Sequence, residues 1–557
     1  MKTLSQVEQT PRQRRLWKAG LIALLVLGVC LRFVALDHKI YWHDEMYTSM
    51  RAAGYMRQTI DEAIFQNRFV SVPELQAFQQ IKPDSSVVDT VRSLIREDPQ
   101  HPPFYFVMAR YWMQAFGSSI LASRLLPVLL SLLSLPLMYL LALELFASST
   151  TALLATALLS LSPLDILFAQ TARQYSLLTA IMIGSSWLLL RAMRHKRGER
   201  WMHYGLSVAL GFYTHPFFAL TLVSQAVYVL GLSWLDLAAT QKPLLAGFNT
   251  WLRDRRLCYF GLAVLGALLL YAPWIWVLLD QQTRASATTD WTRVSVGLLY
   301  LAKLWLLSFT ALWVDLDFGF NNPFTYLLRL PVLLLILVAF YRLLRQPLRV
   351  WLFLYTAAWV PFLLLALPDL VLGGKRSAVS RYLISCFPAV QLAVAHLFSS
   401  KLFGNQLDGS ITPTRSTRRL WLGLLGFVFA ASILSCSVSA RAQTWWNKDL
   451  SYFNAEVINQ VNRTTAEAKQ AGTALPILLS DMGDDYTNMG DLVAMSYSLR
   501  PETRLFLVSA QPNFAPIAQA ENLLVFRASK PLESAIAQQG WRLIPVSEQA
   551  RLWRMVR

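Results

Sequence analysis

The chain has 557 residues, of which 55% are hydrophobic and only 15% are charged, whereas soluble proteins carry about 25% charged residues. Many apolar stretches approach the roughly 20 residues that cross a bilayer, so composition excludes a soluble protein and predicts a polytopic membrane protein. The formal net charge of +18 is concentrated in short segments beside apolar runs, which is typical of cytoplasmic loops and not of a nucleic-acid-binding surface.

The N-terminal segment predicts an uncleaved membrane anchor. Basic residues at positions 12–18 precede the apolar run 16–36, but no small-residue cleavage site follows the run. Because basic residues beside a span stay in the cytoplasm, the N-terminus is predicted to be cytoplasmic and the pair Asp44-Glu45 to lie outside. The four cysteines are far apart and show neither disulfide nor metal spacing, which favours a packing role.

The apolar runs that follow thread the chain back and forth. With the basic loops inside, the sequence predicts eleven spans, at about 16–36, 122–146, 150–168, 174–193, 202–214, 217–236, 257–279, 324–341, 349–367, 382–400 and 419–440. The apolar segments 102–116 and 296–314 contain Arg110 and Lys303, and crossing by both would turn basic loops outward. We therefore predict that both segments are helices at the outer face. Thirteen spans is the alternative.

The chain changes character after residue 440. A helical stretch is followed by the short apolar runs PILLS, RLFLVS and NLLVFRA, which alternate with helix-like segments and are typical of a small α/β domain. The predicted fold class is therefore a polytopic α-helical membrane protein with an extracytoplasmic α/β domain. The predicted boundaries are a transmembrane domain over 1–440, with a first outer loop over 37–101, and a C-terminal domain over 441–557.

This threading places acids, bases and aromatic residues from distant parts of the chain at one membrane level. Asp165 stands inside an apolar stretch, where an ionised carboxylate is costly and needs a partner or a cavity, but the sequence indicates no firm partner. Arg124 also suits an interfacial anchor, and His215 a structural turn. The outer-face set comprises Asp44, Glu45, His101, Arg124, Asp165, Gln170, Arg173, Tyr175, His215, Lys375, Arg376, Arg381 and Tyr382.

Arginine and lysine side chains at the hydrocarbon boundary suit a phosphate that is attached to a lipid. A guanidinium group binds phosphate oxygens with two parallel hydrogen bonds, and the lipid chain lies between helices. A carboxylate opposite the phosphate can accept the proton of an incoming hydroxyl group. The outer-face set therefore indicates transfer of a group from a lipid phosphate to an acceptor outside the cytoplasm.

Several motifs of the chain recur, in this order, in a known class of enzymes. They are HDEMYTS, HPPFYFVMARYWMQAFG, SRLLPVLL, LSPLDILFAQTARQYSLL, GFYTHPFFAL and SRYLISCFPAVQLAVAHL. Together they resemble the family 39-like membrane glycosyltransferases of the GT-C fold class, which includes protein O-mannosyltransferases and the aminoarabinose transferases of lipid A. The resemblance covers most of residues 16–400 and does not extend to the C-terminal domain.

The resemblance implies a polyprenyl-phosphate-linked sugar as donor and transfer with inversion at the extracytoplasmic face of the bacterial inner membrane. It implies that Asp44 is the catalytic base and Glu45 its companion. It also implies that Gln170, Arg173 and Tyr175 contact the donor headgroup or phosphate. In the same way, Lys375, Arg376 and Arg381 would hold the phosphate and stabilise the leaving group. Further candidates are His101, Arg124, Asp165 and His215.

The sequence leaves a divalent metal ion as an open question. The aminoarabinose transferases have an acidic-basic pair, implicated in metal binding, where this chain has Gln100-His101. The D-x-D motif Asp315-Leu316-Asp317 and the acidic segment 480–491 are alternative metal sites, and neither motif is specific alone. Whether the enzyme uses a metal is therefore not predicted.

Two other classes of function compete with a transferase. A lipid or polysaccharide transporter would place ionisable groups near the bilayer midplane and show matching halves, but the charges collect at one face and no internal symmetry is apparent. A non-catalytic scaffold that binds lipid phosphate is the other alternative. The partners predicted in every case are membrane lipids and a lipid phosphate, with a lipid, glycan or protein acceptor for the transferase and no nucleic acid.

Overall fold

The computed structural model describes residues 11–194, 198–238, 254–403 and 414–557. The chain divides into two compact units. The helical unit consists of Met1–Val34, Asp98–Phe104 and Pro127–Ala440, and the α/β unit of Ala35–Glu97, Tyr105–Leu126 and Arg441–Arg557. Large parts of the basic segments that predict the membrane orientation lie outside the described residues, at 1–10, 195–197, 239–253 and 404–413.

Seven helices in the described part of the chain are long and apolar enough to cross a membrane. An eighth candidate is the pair Ser149–Ser160 and Pro163–Ala169, which is bent by 60°. The prediction of an integral membrane protein is therefore confirmed. The seven helices are Ile120–Phe146, Tyr175–Arg194, Phe218–Leu237, Arg255–Asp280, Pro323–Leu343, Leu348–Leu372 and Arg415–Arg441.

Three of the eleven predicted spans form helices that do not reach this length and hydropathy. Helix Pro11–Leu31 carries several basic residues at its start, and helices Gly198–Thr214 and Phe387–Phe403 have 17 residues each. The count of eleven spans stays a prediction.

The two apolar segments assigned to the outer face are short helices. Phe104–Phe116 and Leu298–Thr310 have 13 residues each, which corresponds to a length of about 20 Å. A bilayer core is about 30 Å thick, so neither helix is long enough to cross it alone. Their placement at the outer face stays a prediction.

Burial separates inner from outer helices in the helical unit. The apolar window of Tyr175–Arg194 is 72% buried inside the protein, whereas that of Arg255–Asp280 is only 17% buried. An apolar helix that is exposed on most of its surface is suited to contact with lipid. Shorter helices complete the unit: Gln282–Ala287 and the 3₁₀ turns Asp290–Arg293, Arg376–Ala378 and Ser380–Leu383.

The first helix packs closely against helix Ser149–Ser160. A Cβ atom at Gly28 would overlap with Ser160, so glycine permits this approach. Arg32, which is buried, donates hydrogen bonds to the carbonyl oxygens of Gly28 at 2.8 Å and Leu159 at 3.2 Å, and also to that of Ser160. These bonds satisfy carbonyl groups that would otherwise be left at the helix ends.

The α/β unit is built on one sheet of six strands. In chain order they are β1 (Arg68–Ser71), β2 (Ile477–Ser480), β3 (Arg504–Leu507), β4 (Leu523–Phe526), β5 (Arg542–Ser547) and β6 (Leu552–Val556). Their order in the sheet is β1-β3-β2-β4-β6-β5. Strand β2 pairs in parallel with β3 and β4, and the remaining pairs are antiparallel.

The α/β unit also contains eight helices, each of which lies wholly or almost wholly within the unit. Strands β2 and β4 are buried throughout, as expected for central strands that are covered on both faces. The helices are His43–Ala53, Arg57–Ile64, Val72–Ala77, Val87–Glu97, Phe104–Phe116, Asn454–Ala471, Asn488–Ser496 and Lys530–Gln538.

The units divide the chain differently from the predicted boundaries. The first outer loop, assigned to the transmembrane domain, belongs to the α/β unit together with 441–557. Its strand β1 pairs with β3, with Arg68 opposite Leu507, and Phe69 packs against Phe506 with ring centroids 5.1 Å apart. The loop thus completes the sheet and covers an edge that would otherwise be open.

Candidate active site

Helix His43–Ala53 carries the predicted acid pair in its first turn. The Glu45 carboxylate accepts a hydrogen bond from the backbone N–H of Trp42 at 2.9 Å and so caps the start of the helix. The helix ends at Gly54, whose φ of 93° suits a residue without Cβ. Both acids therefore stand where the helix dipole favours negative charge.

The Glu45 carboxylate lies between two buried cations. Arg124 donates from Nε to Oε1 and from Nη2 to Oε2, both at 2.8 Å, and Lys448 Nζ lies 3.1 Å from Oε2. The three side chains are at most 1% exposed. Arg124 also donates to the carbonyl oxygens of Lys39 and Ile40, at 2.9 Å each. Arg124 therefore organises the helix start rather than serving as an anchor at the membrane interface.

Asp44 and Glu45 differ in exposure although they are adjacent. Asp44 is partly exposed, whereas Glu45 is fully buried. The Glu45 oxygens already accept hydrogen bonds from one backbone and two side-chain donors, which suits a residue that positions others. Asp44 is thus the member of the pair that a reactant can reach.

A second polar network holds the same helix start. The backbone N–H of His43 donates to Ser451 Oγ at 3.0 Å, and His43 Nδ1 lies 3.4 Å from Asp491 Oδ1. Asp491 is fully buried and is paired with Arg527. The acidic residue that ends segment 480–491 therefore makes internal contacts that connect the C-terminal region to the helix bearing Asp44.

A polar cluster of the helical unit connects Asp98, His101 and Arg173. His101 Nδ1 lies 2.8 Å from Asp98 Oδ1, and its Nε2 lies 2.9 Å from Arg173 Nη2. A guanidinium group can only donate, so Nε2 accepts and Nδ1 carries the proton that is donated to Asp98. The Arg173 guanidinium also lies over the Tyr175 ring, 5.8 Å from its centroid. Asp98 and His101 together fix the orientation of Arg173.

His215 lies among these cations and is held in its neutral form. Burial and the nearby His101, Arg173 and Arg381 keep the pKa of His215 well below its usual range. The backbone N–H of Phe217 donates to His215 Nδ1 at 3.1 Å, so the ring proton is on Nε2. The hydrogen bond to Phe217 agrees with a structural role of His215 in the turn. Its Nε2–H is also a neutral hydrogen-bond donor close to Arg173 and Arg381.

Trp291 connects two of the three predicted phosphate-binding residues that follow helix Leu348–Leu372. Lys375 Nζ lies 5.1 Å and the Arg381 guanidinium carbon 5.5 Å from the Trp291 ring centroid. The backbone N–H of Lys375 donates to the carbonyl oxygen of Thr292 at 2.8 Å. An indole ring attracts cations, and Trp291 has two of them within cation–π distance.

Arg376 has a different environment. Its Nη1 lies 3.2 Å from Asp369 Oδ1, and Asp369 Oδ2 accepts hydrogen bonds from the backbone N–H and hydroxyl group of Ser377 at 2.6 and 2.7 Å. Gly374, with a φ of 143°, forms the turn that these bonds close. The contacts of Arg376 therefore shape the turn that carries Lys375.

Two further predicted residues make hydrogen bonds within the helical framework. Gln170 Nε2 donates to the carbonyl oxygens of Leu31 at 3.1 Å and Val34 at 2.9 Å. Asp165 Oδ2 accepts a hydrogen bond from Gln391 Nε2 at 2.7 Å. Gln391 is thus the partner of Asp165 that the sequence does not reveal.

Sequence reasoning missed three residues of these clusters. Asp98 precedes the HPPFYF motif by only three positions, and its acidic character beside a histidine was a usable signal. Trp291 lies in a polar segment that no span or motif includes, and Lys448 lies in the unmatched C-terminal region. No local pattern marks either of these two, because their contacts depend on the tertiary fold.

Neither metal site considered from the sequence forms among the described residues, where no group of three histidine, cysteine or acidic side chains is arranged to hold a metal ion. Asp315 is buried and its Oδ1 lies 3.2 Å from Arg329 Nη2, while Asp317 accepts a hydrogen bond from the backbone N–H of Gly319. The D-x-D motif therefore closes a turn and neutralises a buried arginine.

Comparison with known proteins addresses the fold. The chain aligns over 96% of its length with 98% of ArnT from Cupriavidus metallidurans, solved with undecaprenyl phosphate, at a TM-score of 0.50 and 12% identity. The chain has the GT-C fold. A second solved structure, the archaeal oligosaccharyltransferase AglB from Archaeoglobus fulgidus in complex with an inhibitory peptide and a dolichol-phosphate, has a TM-score of 0.47 and 12% identity, covering 86% of this chain and 64% of AglB.

A family model also matches part of this GT-C chain. Residues 100–253 match the model described as dolichyl-phosphate-mannose-protein mannosyltransferase. The matched segment contains the motifs HPPFYF, QTARQYS and THPFF, and with the fold it confirms the resemblance to GT-C membrane glycosyltransferases. No curated protein sequence matches the chain.

Proposed function

We propose that this chain is a glycosyltransferase that moves a hexosyl or pentosyl group from a polyprenyl-phosphate-linked donor to an acceptor outside the cytoplasm. Transfer proceeds with inversion, and Asp44 is the general base. The acceptor is a lipid, a glycan or a protein. The protein resides in the bacterial inner membrane, with a cytoplasmic N-terminus and an extracytoplasmic C-terminal region.

The relatives support the donor class. The family model that matches residues 100–253 describes transfer from a dolichyl-phosphate-linked sugar, and the structure of ArnT contains undecaprenyl phosphate. Both ligands are isoprenoid chains that end in a phosphate. The matched segment includes His101, Arg173 and His215, which belong to one cluster of the helical unit.

The observation that carries the proposal is the accumulation of positive charge around the neutral His215. Arg173 and Arg381 both lower the pKa of this imidazole, and Lys375 and Arg381 both contact the Trp291 ring. Like charges repel, and a phosphate bound beside these side chains would offset that repulsion. Asp98 lies beside His101, and the phosphate of the donor would add negative charge to the same cluster.

The chemistry of transfer follows from these roles. The acceptor oxygen attacks the anomeric carbon, and the bond from that carbon to the phosphate oxygen breaks with its electron pair. Asp44 takes the acceptor's proton, and the leaving polyprenyl phosphate gains one negative charge. Arginine and lysine donors bind that charge more strongly as it develops, which lowers the barrier for the chemical step.

The experiment that tests this function uses the full chain in lipid nanodiscs with a synthetic polyprenyl-phosphate sugar. We expect acceptor-dependent release of polyprenyl phosphate and a product with the opposite anomeric configuration. A transporter would move the intact donor across a sealed vesicle, and a scaffold would bind it unchanged. Transport or binding of the intact donor would contradict the proposal if no acceptor class led to release of polyprenyl phosphate.

A further inference from the structure

We propose that Lys448 is a positioning residue for the transfer reaction, which shares the Glu45 carboxylate with Arg124 and keeps the neighbouring Asp44 ionised. The inference rests on the proposed role of Asp44 as the base. It assigns a function to a residue in the region after 440, where the motifs of the chain indicate none.

Arg124 and Lys448 both contact the Glu45 carboxylate. Arg124 alone neutralises Glu45, because it places one donor on each carboxylate oxygen. Lys448 adds a second buried cation on Oε2 at 3.1 Å. Two basic side chains thus contact one buried carboxylate.

Burying an extra ammonium group is costly, so its presence requires compensation. The pKa of Lys448 is lowered to about 8, chiefly by burial and also by the Arg124 charge. Glu45 raises it through both charge and hydrogen bond, and Asp44 raises it through charge. The Trp42 ring, with its centroid 5.6 Å from Nζ, completes the surroundings. Asp44 is therefore the second acid that stabilises the charged form of Lys448.

Electrostatic coupling between two groups is reciprocal. If Asp44 stabilises the ammonium form of Lys448, then the ammonium group stabilises the carboxylate form of Asp44 by the same amount. A general base acts only when it is ionised. The other charged groups near this helix start include Glu45, Arg124, Asp37, which interacts with Arg124, His43 and, through His43, Asp491. Lys448 interacts electrostatically with Asp44, while Arg124 already provides a donor to each oxygen of Glu45.

Three substitutions separate charge from packing. Lys448→Met removes the charge and the hydrogen bond to Glu45, Lys448→Gln removes the charge but keeps a donor, and Lys448→Arg keeps both. The measurement is kcat/KM for the lipid-linked sugar donor as a function of pH. We expect the acid limb of the Met and Gln variants to move upward by about one pH unit, and that of the Arg variant to stay in place. Coincident acid limbs in all four proteins, even at lower plateau rates, would overturn the proposal.

A second readout does not depend on catalysis. Protonated carboxyl groups react with carbodiimides, so the pH at which Asp44 becomes half-labelled, followed by mass spectrometry without substrate, reports its ionisation. We expect this midpoint to be higher in Lys448→Gln than in the wild type and unchanged in Lys448→Arg. If the chain does not transfer sugar, the midpoint still tests the coupling; an unshifted midpoint in Lys448→Gln would refute it independently of the proposed function.

Discussion

Individual residues of the helical unit determine how an anion could be bound. Trp291 is half-buried and its ring contacts two flexible cationic side chains, so it limits their movement without neutralising them. His215 remains neutral and adds no further repulsion. The cluster thus combines charge with rigidity, and both are needed for tight binding of a phosphate group.

The Trp291 ring provides a test at this scale. A cation–π contact that is not desolvated contributes about 0.5–1 kcal/mol, and Trp291→Ala removes two of them. We therefore expect this variant to raise the KM for the lipid-linked donor about 5- to 30-fold with little change in kcat. Trp291→Phe should retain part of the affinity. Trp276, which is 72% exposed, provides the matched control as Trp276→Ala. An unchanged KM for Trp291→Ala would remove Trp291 from the donor site.

The sequence predicted much of this cluster but not its organisation. The predicted membrane topology places four residues at the same face, and the structure brings them together within the helical unit: His101, Arg173, His215 and Arg381. The hydrogen bond between His101 and Arg173 and the contact of Arg381 with the Trp291 ring were not predictable. Each joins segments that are far apart in the sequence. For Arg376 the sequence was misleading about the contact. Its position between Lys375 and Arg381 suggests phosphate binding, but its side chain forms an ion pair with Asp369.

At the scale of single elements, helix His43–Ala53 depends on buried ion pairs at its start. Glu45 joins the helix cap to two cations, and the network beyond His43 connects it to the C-terminal region. A helix of 11 residues is too short to be stable alone. Its position is therefore set by these contacts rather than by its own propensity.

Removing the shared carboxylate should destabilise this unit. Glu45→Ala leaves two buried cations without their common partner, a change that costs about 3–5 kcal/mol in folded proteins. We expect a lower unfolding temperature of the detergent-solubilised chain, with little effect from Glu62→Ala, a control at an exposed position. Equal unfolding temperatures for the two variants would show that the Glu45 network does not stabilise the helix.

Strand β1 could not be predicted from the sequence. Four residues, Arg68–Ser71, carry too little alternation to indicate a strand, and their partner β3 lies near the other end of the chain. The α/β character of 441–557 was predictable because strands β2, β3 and β4 lie within apolar runs that alternate with helices. The participation of the first loop was not, since it depends on a long-range pairing.

At the scale of the whole molecule, the chain combines a helical unit with an α/β unit that is discontinuous in sequence. Hydropathy predicts the membrane-spanning character, because long apolar helices have few alternatives to a bilayer. The GT-C fold was predictable from motif order, at only 12% identity to ArnT. The number of crossings is less certain from hydropathy, since helices of 17 residues lie at the lower limit of spanning length.

Membrane orientation provides a test of the threading. In a cysteine-free background, we expect Asp84→Cys to react with an impermeant thiol reagent on intact spheroplasts. Arg345→Cys should react only after permeabilisation. Both positions are exposed within the protein, so a failure to react reports the side of the membrane. Labelling of Arg345→Cys from outside would reverse the predicted orientation.

The most direct test of the account compares Asp44→Asn with Asp84→Asn in the assay for release of polyprenyl phosphate. General-base catalysis contributes about 10²–10⁴-fold, so Asp44→Asn should lose at least about 100-fold in kcat while still binding the donor. The exposed control Asp84→Asn should keep the wild-type rate. Turnover by Asp44→Asn at the wild-type rate would contradict the assignment of the base and, with it, the proposed mechanism.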